Sequence, residues 1–322
     1  MSIMISMGVI ILSSIVIYLA GEKFAESSSK IGDYFKLSRD VKGATLDAIS
    51  SSLPELLVAL YSVIFFKQFE VGIGTIAGSA LFNLLVIPGI CVFVAPVAFK
   101  VSKKVISRDA LFYMISVFVL IILIFYFKKW GFFVAILLLL IYLIYVKELI
   151  KNTKTHQRNS SKKRIKINLP KEVFLFFILL IVTGIFTFLL TGSAINLAND
   201  LGISPIIIAF TVIAAATSIP DTVISVTNAR KGNIADATSN VFGSNIFDIL
   251  VGIGLPLLIY CSYKGSVLIN FSNLEIVLGL LGSTILILSF FGESHTLNRK
   301  HATILLIMYV LFVLYTILLA IF

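Results

Sequence analysis

Charged residues are scarce in this chain of 322 residues, and their scarcity excludes an ordinary soluble domain. They make up 13% of the residues, whereas hydrophobic residues make up 59% and the mean hydropathy is +1.06. Soluble domains carry about 25% charged residues. Apolar runs recur along the whole chain, and each is near the ~20 residues that a helix needs to cross the hydrocarbon of a bilayer. The composition therefore predicts an integral membrane protein.

Thiol and imidazole ligands are also few. The two cysteines, Cys91 and Cys261, show no spacing that indicates a metal site or a disulfide framework. The three histidines, His156, His295 and His301, fall in predicted loops. We therefore expect neither a zinc site nor a resident cofactor.

Basic residues are missing before the first apolar run, residues 2–20. A cleaved signal peptide would begin with basic residues, so this run is predicted to be a retained helix. Run length and hydropathy together predict ten spans. They lie at residues 2–20, 43–66, 71–98, 109–127, 130–149, 172–191, 202–229, 233–261, 272–291 and 302–321.

The loops between these spans differ in charge. With the amino terminus outside, the cytoplasmic loops would hold 22 of the 26 Lys and Arg residues. This bias predicts that both termini lie outside and that the central basic loop lies in the cytoplasm. We expect a multi-pass protein of the plasma membrane. The topology accounts for the net charge of +10, which therefore does not indicate a nucleic-acid partner. The lipid bilayer is the expected partner, and no obligate protein partner is expected.

A hydrophilic linker divides the chain into two similar halves. Residues 1–149 are predicted to form a first five-helix repeat, residues 150–171 a basic cytoplasmic linker and residues 172–322 a second five-helix repeat. Because five is an odd number, the second repeat would start on the opposite side of the membrane. The expected fold class is therefore an all-α integral membrane protein of ten transmembrane helices, arranged as two inverted repeats.

The similarity of the halves rests on two linked motifs. When Pro54-Glu55 is aligned with Pro220-Asp221, the segment "AGSALFNLL" (77–85) falls on "FGSNIFDIL" (242–250) after one residue of slippage. Each proline lacks a backbone N–H and leaves the carbonyl four residues earlier without its helical partner. Because an unpaired carbonyl is costly in hydrocarbon, we expect two bends whose carbonyl oxygens face a cavity.

The acids of these motifs need a counter-charge. An ionised side chain at the bilayer centre costs ~3 kcal/mol, and no basic residue lies deep in a predicted span. Glu55 and Asp221 would also repel each other, while Asn83 and Asp248 extend the polar cluster from neighbouring helices. A bound cation relieves both problems. Carboxylates, hydroxyls and carbonyls form a hard-oxygen set that suits Ca²⁺ and alkali ions.

The segments "GATLDAISSSLPEL" with "AGSALFNLL", and "AFTVIAAATSIPD" with "FGSNIFDIL", resemble the two alpha repeats of sodium/calcium exchangers. The resemblance implies antiport of Ca²⁺ against Na⁺ through one central site that is exposed alternately to each side. The second pair of segments is similar to the potassium-dependent branch, which keeps K⁺ as a further candidate ion. Carried over position by position, the resemblance implies ion ligands at the side chains of Glu55, Asp221, Asn83 and Asp248, at the hydroxyls of Ser51, Ser52, Thr217, Ser218, Ser79 and Ser244, and at the carbonyls of Ala48 and Ala214.

Three rival functions stay open at this point. A proton/cation antiporter on the same scaffold would use Glu55 and Asp221 as proton carriers. An intramembrane aspartyl protease needs two acids but has no use for duplicated, proline-bent segments rich in oxygen ligands. A channel is the third rival. We expect a transporter and not an enzyme.

Residues outside the two motifs carry smaller expectations. Gly72, Gly74 and Gly78 are expected to let helices approach closely. Trp130 is expected to anchor its helix end at the membrane interface. Asp109, near the start of a predicted span, is expected to have a structural role.

Overall fold

A computed structural model describes residues 3–35, 45–46, 48–103, 105–154, 168–269 and 274–321. The predicted linker at 150–171 therefore falls largely outside the described residues. The helices of the first half are α1 (Ile3–Tyr34), α2 (Ala48–Ser51), α3 (Leu53–Ile64), α4 (Phe69–Val94), α5 (Leu111–Tyr126) and α6 (Phe132–Lys154). Those of the second half are α7 (Leu169–Leu201), α8 (Pro205–Ile208), α9 (Ala214–Thr217), α10 (Ile219–Arg230), α11 (Ile234–Phe247), α12 (Ile253–Lys264), α13 (Leu274–Ser294) and α14 (Arg299–Ile321).

Three π-helical segments of five or six residues connect or precede these helices in the described part of the chain. Val105–Ala110 leads into α5, Ala209–Ile213 joins α8 to α9, and Asp248–Gly252 joins α11 to α12. A π-helical turn widens the helix locally and is frequent at functional sites. The last of the three begins at a predicted site residue.

Two short antiparallel strand pairs link loops of the two halves, and the sequence did not predict them. The strand β1 (Phe99–Lys100) pairs with β4 (Thr296–Leu297), and β2 (Lys129–Trp130) pairs with β3 (Val267–Leu268). Each pair has two residues per strand, too few to form a sheet layer, so the architecture remains that of a helical membrane protein.

Seven helices of the described residues are long and apolar enough to cross a membrane, or eight if one bent pair counts as a single span. The predicted second span, residues 43–66, is interrupted at Ser52, so its apolar helix Leu53–Ile64 is short. In the predicted ninth span, α13 runs from Leu274 to Ser294, and Gly279–Gly292 is the part of it that counts as an apolar helix. Length and composition thus do not establish the predicted count of ten.

Helix α1 is longer than its apolar run. Its prediction ended at residue 20, where hydropathy falls, but the helix continues to Tyr34. Its polar end carries ion pairs between Lys30 and Glu26 at 3.2 Å and between Lys23 and Glu26 at 4.0 Å. Such pairs support a helix outside the hydrocarbon, where apolar length no longer sets the helix end.

Helix α4 lies at the centre of the packing, and its glycines permit this position. Most of its residues are buried, so it contacts other helices on all sides. A Cβ added at Gly72 would lie 2.7 Å from the Cα of Ala59 in α3. One added at Gly78 would overlap the carbonyl oxygen of Phe210 and lie 2.6 Å from the Cβ of Ala214. The predicted close approach at these two glycines is confirmed.

Trp130 and Asp109 are both enclosed by protein. The indole of Trp130 is fully buried, and its N–H donates to the carbonyls of Leu123 and Phe127. The predicted interfacial anchor is therefore wrong, because the ring fills a helix junction. Asp109 forms a buried ion pair with Arg108 at 2.6 Å, in line with its expected structural role.

The packing at Gly78 gives a first prediction. Replacing Gly78 with Ala should lower the midpoint of thermal unfolding in detergent, because α4 and the Phe210–Ala214 turn would have to separate. We expect a loss of about 1–3 kcal/mol in stability. Gly282→Ala is the matched control, since a Cβ at Gly282 meets nothing within 4 Å. Equal unfolding midpoints for the two variants would contradict the packing assignment.

Candidate ion-binding site

Glu55 and Asp221 each follow a break between two helices. Helix α2 ends at Ser51 and α3 begins at Leu53, with Pro54 in its first turn and Glu55 next to it. The acid therefore lies at a helix amino terminus, where unpaired N–H groups and the helix dipole favour negative charge. The break lets one side chain point into the centre of the helix bundle instead of continuing the helical pattern.

The second half repeats this arrangement. Helix α9 ends at Thr217, α10 begins at Ile219, and Asp221 follows Pro220 in the first turn of α10. The helices on the two sides of this break differ in direction by 41°. The predicted bend is therefore confirmed in this half.

Three carboxylates meet between the two breaks. Glu55, Asp221 and Asp248 are each fully buried. Each offers one oxygen, and these oxygens lie within 4.8 Å of one another. No other group of three or more His, Cys, Asp or Glu residues with metal-binding geometry occurs in the part of the chain that the structure describes. The sequence predicted this meeting, although the three acids are far apart in the chain.

Serine hydroxyls orient the carboxylates in an equivalent way in both halves. Ser79 donates a hydrogen bond to Glu55 Oε1 at 3.2 Å, and Ser244 donates one to Asp221 Oδ1 at 2.6 Å. These serines occupy matching positions in the two sequence motifs. Ser79 also donates to Asp248 Oδ2 at 3.4 Å and accepts from the hydroxyl of Ser218 at 2.9 Å.

The amide of Asn83 joins the cluster through its nitrogen. Its Nδ2 donates to Asp221 Oδ2 at 2.8 Å and to Asn245 Oδ1 at 3.0 Å. Asn245 in turn donates to the carbonyl of Ala80 at 3.2 Å. These bonds tie α4 to α10 and α11, while Asn83 Oδ1 has no hydrogen-bond partner in the described part of the chain.

Several buried oxygens of the site lack a hydrogen-bond partner among the described residues. They are Ser52 Oγ, Glu55 Oε2, Asn83 Oδ1 and Asp248 Oδ1. A buried polar atom without a partner is costly, and a cation would pair with several of these oxygens at once. Because all of these atoms are hard oxygen ligands, the residues present fit Ca²⁺ and Na⁺ better than softer metal ions.

The predicted carbonyl ligands accept hydrogen bonds within their own helical turns. The carbonyl of Ala48 accepts from the N–H of Ser52 at 2.9 Å and from the hydroxyl of Ser51 at 3.2 Å. The carbonyl of Ala214 has the equivalent two donors, Ser218 N–H and the Thr217 hydroxyl, at 3.0 and 3.3 Å. A ligand role for both carbonyls stays a prediction.

Sequence reasoning missed Asn240 and Ser225 beside the site. Both are fully buried, and Asn240 Nδ2 donates to Ser225 Oγ at 3.1 Å and lies 3.5 Å from Asp221 Oδ1. Asn240 was overlooked because the matching position of the first half holds Thr75. Its spacing of four residues before Ser244 could have revealed it, since such residues share one helix face.

A cavity of about 640 Å³ opens at one end of the bundle. Its lining includes Val63 at the end of α3, Val71 at the start of α4, and the charged residues Lys67, Glu70 and Lys264. On α3 and α4, the lining positions lie eight residues from Glu55 and Ser79, or about 12 Å along a helix. The cavity therefore approaches the site from the end that the charge distribution predicts to be outside.

The fold and the site define a helical membrane protein with a buried, oxygen-lined cluster of acids. The model of the family described as sodium/calcium exchanger protein matches residues 5–150 and 171–318. The chain belongs to this family and is a membrane exchanger.

Known relatives match the chain over different lengths. The uncharacterized membrane protein MJ0091 of Methanocaldococcus jannaschii is 26% identical over 96% of this chain and 97% of its own length. The inner membrane protein YrbG of Escherichia coli is 28% identical over 80% of each chain. The human sodium/potassium/calcium exchanger 3 is 40% identical over 134 residues, which are 42% of this chain and 20% of that protein.

A solved structure supports the fold. The sodium-calcium exchanger NCX_Mj, soaked with 100 mM Na⁺ and 10 mM Sr²⁺, matches with a TM-score of 0.68 at 24% identity. The match covers 96% of this chain and 98% of that one. The two proteins therefore share their overall fold.

Ion binding should be measurable as thermal stabilisation. A ligand at 100 times its Kd stabilises the folded state by about 2.7 kcal/mol, so saturating Ca²⁺ should raise the unfolding midpoint of the wild type. Glu55→Gln should lose this increase, because it removes one of the three carboxylates. Glu148→Gln is the control, since Glu148 lies in α6 and pairs only loosely with Lys151 at 3.9 Å. A full Ca²⁺-dependent increase in Glu55→Gln would contradict the site.

Proposed function

We propose that the protein is a secondary active antiporter that exchanges Ca²⁺ for Na⁺ at the carboxylate cluster. Membership of the sodium/calcium exchanger family supports exchange of cations including calcium. The observation that carries the finer proposal is the burial of three carboxylates whose oxygens approach within 4.8 Å. Such a cluster needs positive charge, and the surrounding oxygens are suited to supply the coordination of Ca²⁺ and Na⁺.

The three carboxylates of the cluster do not accept equal numbers of hydrogen bonds. Asp221 accepts hydrogen bonds from Asn83 and Ser244 on different oxygens. Glu55 and Asp248 share the single hydroxyl of Ser79, and each keeps one oxygen that accepts no hydrogen bond within 3.5 Å from the described residues. The difference arises because Asn83 and Asp248 occupy matching positions, so one half supplies an amide donor where the other supplies a third acid.

Competition for these oxygens would couple the two ions. One Ca²⁺ and two Na⁺ bring the same charge to the cluster, and both ions prefer oxygen ligands. Moving unneutralised carboxylates past an apolar barrier is unfavourable. The site would therefore change its exposure with cations bound, so that each half of the cycle carries one kind of ion.

Alternating access would follow from two inverted five-helix repeats. The matching hydrogen bonds of Ser79 to Glu55 and of Ser244 to Asp221 support the repeat. We propose ten spans, residues 1–149 and 172–322 as the two repeats, and α1 and α7 as the elements that move across the site-bearing helices. The ions can shift this equilibrium only through their different affinities for the two states.

Potassium is a second candidate for a coupled ion. Several relatives are named sodium/potassium/calcium exchangers and are 36–40% identical to this chain over 131–141 residues. The three acids allow a monovalent ion to bind together with Ca²⁺ without excess positive charge. We propose Na⁺-driven exchange as the basic activity. Transport measurements with separate K⁺ and pH gradients decide whether K⁺ or protons are coupled to it.

The driving ion can be tested in proteoliposomes. Vesicles loaded with Na⁺ should accumulate Ca²⁺ when diluted into Na⁺-free medium, because outward Na⁺ movement drives exchange. Separate K⁺ and pH gradients test the other couplings, and Glu55→Gln is the inactive control. Uptake that follows a pH gradient and ignores Na⁺ would replace the proposal with proton-coupled antiport. Loss of uptake when K⁺ is removed from both sides would establish K⁺ dependence.

The membrane orientation is part of the proposal. We place the protein in the plasma membrane. The distribution of Lys and Arg supports an orientation with both termini outside the cell and the linker at 150–171 in the cytoplasm. In a variant with Cys91 and Cys261 replaced by Ser, a cysteine introduced at Ser160 should react with a membrane-impermeant maleimide only after permeabilisation. A cysteine at Ser2 should react without it. The opposite pattern would reverse the orientation.

A further inference from the structure

Helix α1 contacts the break that carries Asp221 through a glycine. A Cβ added at Gly21 would lie 2.7 Å from Pro220 Cγ and 3.0 Å from Pro220 Cβ. Both residues are buried. The backbone of α1 therefore rests directly on the proline ring that precedes Asp221, and only glycine leaves room for this contact.

The same part of α1 also contacts the first break. Ala20 and Phe24 form a buried cluster with Leu179, and Leu53, the first residue of α3, packs against it. Four residues further along α1, the hydroxyl of Ser28 donates to the carbonyl of Leu46 at 3.3 Å. Helix α1 thus contacts α2, which ends at the first break, and Pro220, which precedes Asp221 at the second.

Helix α1 is held to α7 at its polar end. The rings of Phe24 and Phe176 stack with centroids 4.4 Å apart. Ser27 donates to the carbonyl of Glu172 at 2.9 Å, and Lys30 pairs with the Glu172 carboxylate at 3.3 Å. A movement of α1 would therefore involve α7 and would press or release the Pro220 ring.

We propose that Gly21 is a positioning residue for exchange, because it links the position of α1 to the break that carries Asp221. The proposal rests on the proposed exchange function. Gly21 touches no ion ligand in this arrangement; it acts through Pro220, a closed ring that yields only by small changes of pucker. A side chain at position 21 would force α1 or the start of α10 to shift and would hinder the change between the two exposures of the site.

Gly21→Ala tests this link, with Gly8→Ala as the matched control. Both glycines lie in α1, but a Cβ at Gly8 meets nothing within 4 Å, and both replacements raise helix propensity alike. In proteoliposomes we expect Gly21→Ala to lower the maximal rate of Na⁺-driven Ca²⁺ uptake by about tenfold. The KM for Ca²⁺ should change by less than about threefold, because the ion ligands remain in place. For the same reason, the Ca²⁺-dependent shift in the unfolding midpoint should be unchanged.

A double-mutant cycle separates this link from general destabilisation. Pro220→Ala removes the Cγ atom that a Cβ at position 21 would meet first. In that background, Gly21→Ala should cost less than about threefold in rate, because the closest clash is gone. The same tenfold loss in both backgrounds would overturn the proposal, as would rates for Gly21→Ala that match those of Gly8→Ala.

The remaining outcomes are also decisive. If Gly21→Ala does not yield folded protein, Gly21→Ala with Pro220→Ala is compared with Pro220→Ala alone, and a tenfold difference there overturns the link. If neither the wild type nor Gly8→Ala shows Na⁺-driven uptake, the proposed function fails. Normal uptake by Gly21→Ala, beside normal uptake by the wild type, defeats only the link to Pro220.

Discussion

The rest of this structure depends on the placement of three carboxylates where water does not reach them. Negative charge in a low-dielectric interior is unfavourable unless donors or cations compensate it. Glu55, Asp221 and Asp248 receive a few hydroxyl and amide hydrogen bonds, which orient the carboxylates without neutralising them. Cations would compensate the remaining negative charge, and this is why we propose that the buried centre of the bundle is an ion site.

Other features of the fold serve to hold this cluster. Breaks at Ser52 and Ser218 turn two acids inward at helix amino termini. The π-helical segment that begins at Asp248 lies opposite them, and the narrow face of α4 at Gly78 lets the second half approach closely. Each of these features departs from regular helix geometry or lacks a side chain, and each lies next to the site. These local irregularities therefore lie where the ion chemistry is proposed.

The meeting of the acids could be predicted from the sequence more closely than the ends of the helices could. Prolines followed by acids inside apolar runs cannot be explained by packing, so Glu55 and Asp221 stood out, and the duplicated motif added Asn83 and Asp248. Asn240 was missed because its repeat partner is Thr75, and Trp130 was misplaced because interfacial and buried tryptophans have the same neighbours in sequence. Hydropathy also did not set the helix ends or establish the number of spans. It reports how much of the chain suits the bilayer and not the full length of a helix such as α1.

By itself, the sequence determined the membrane class, the two related halves and the residue types of an oxygen-rich site, because composition and repeated motifs act locally along the chain. Only the tertiary structure decided which oxygens share donors, which remain unpaired, and that α1 rests on Pro220 through Gly21. These properties depend on distances between segments that are far apart in sequence. Such distances arise from the packing of all helices together, and no local pattern specifies them.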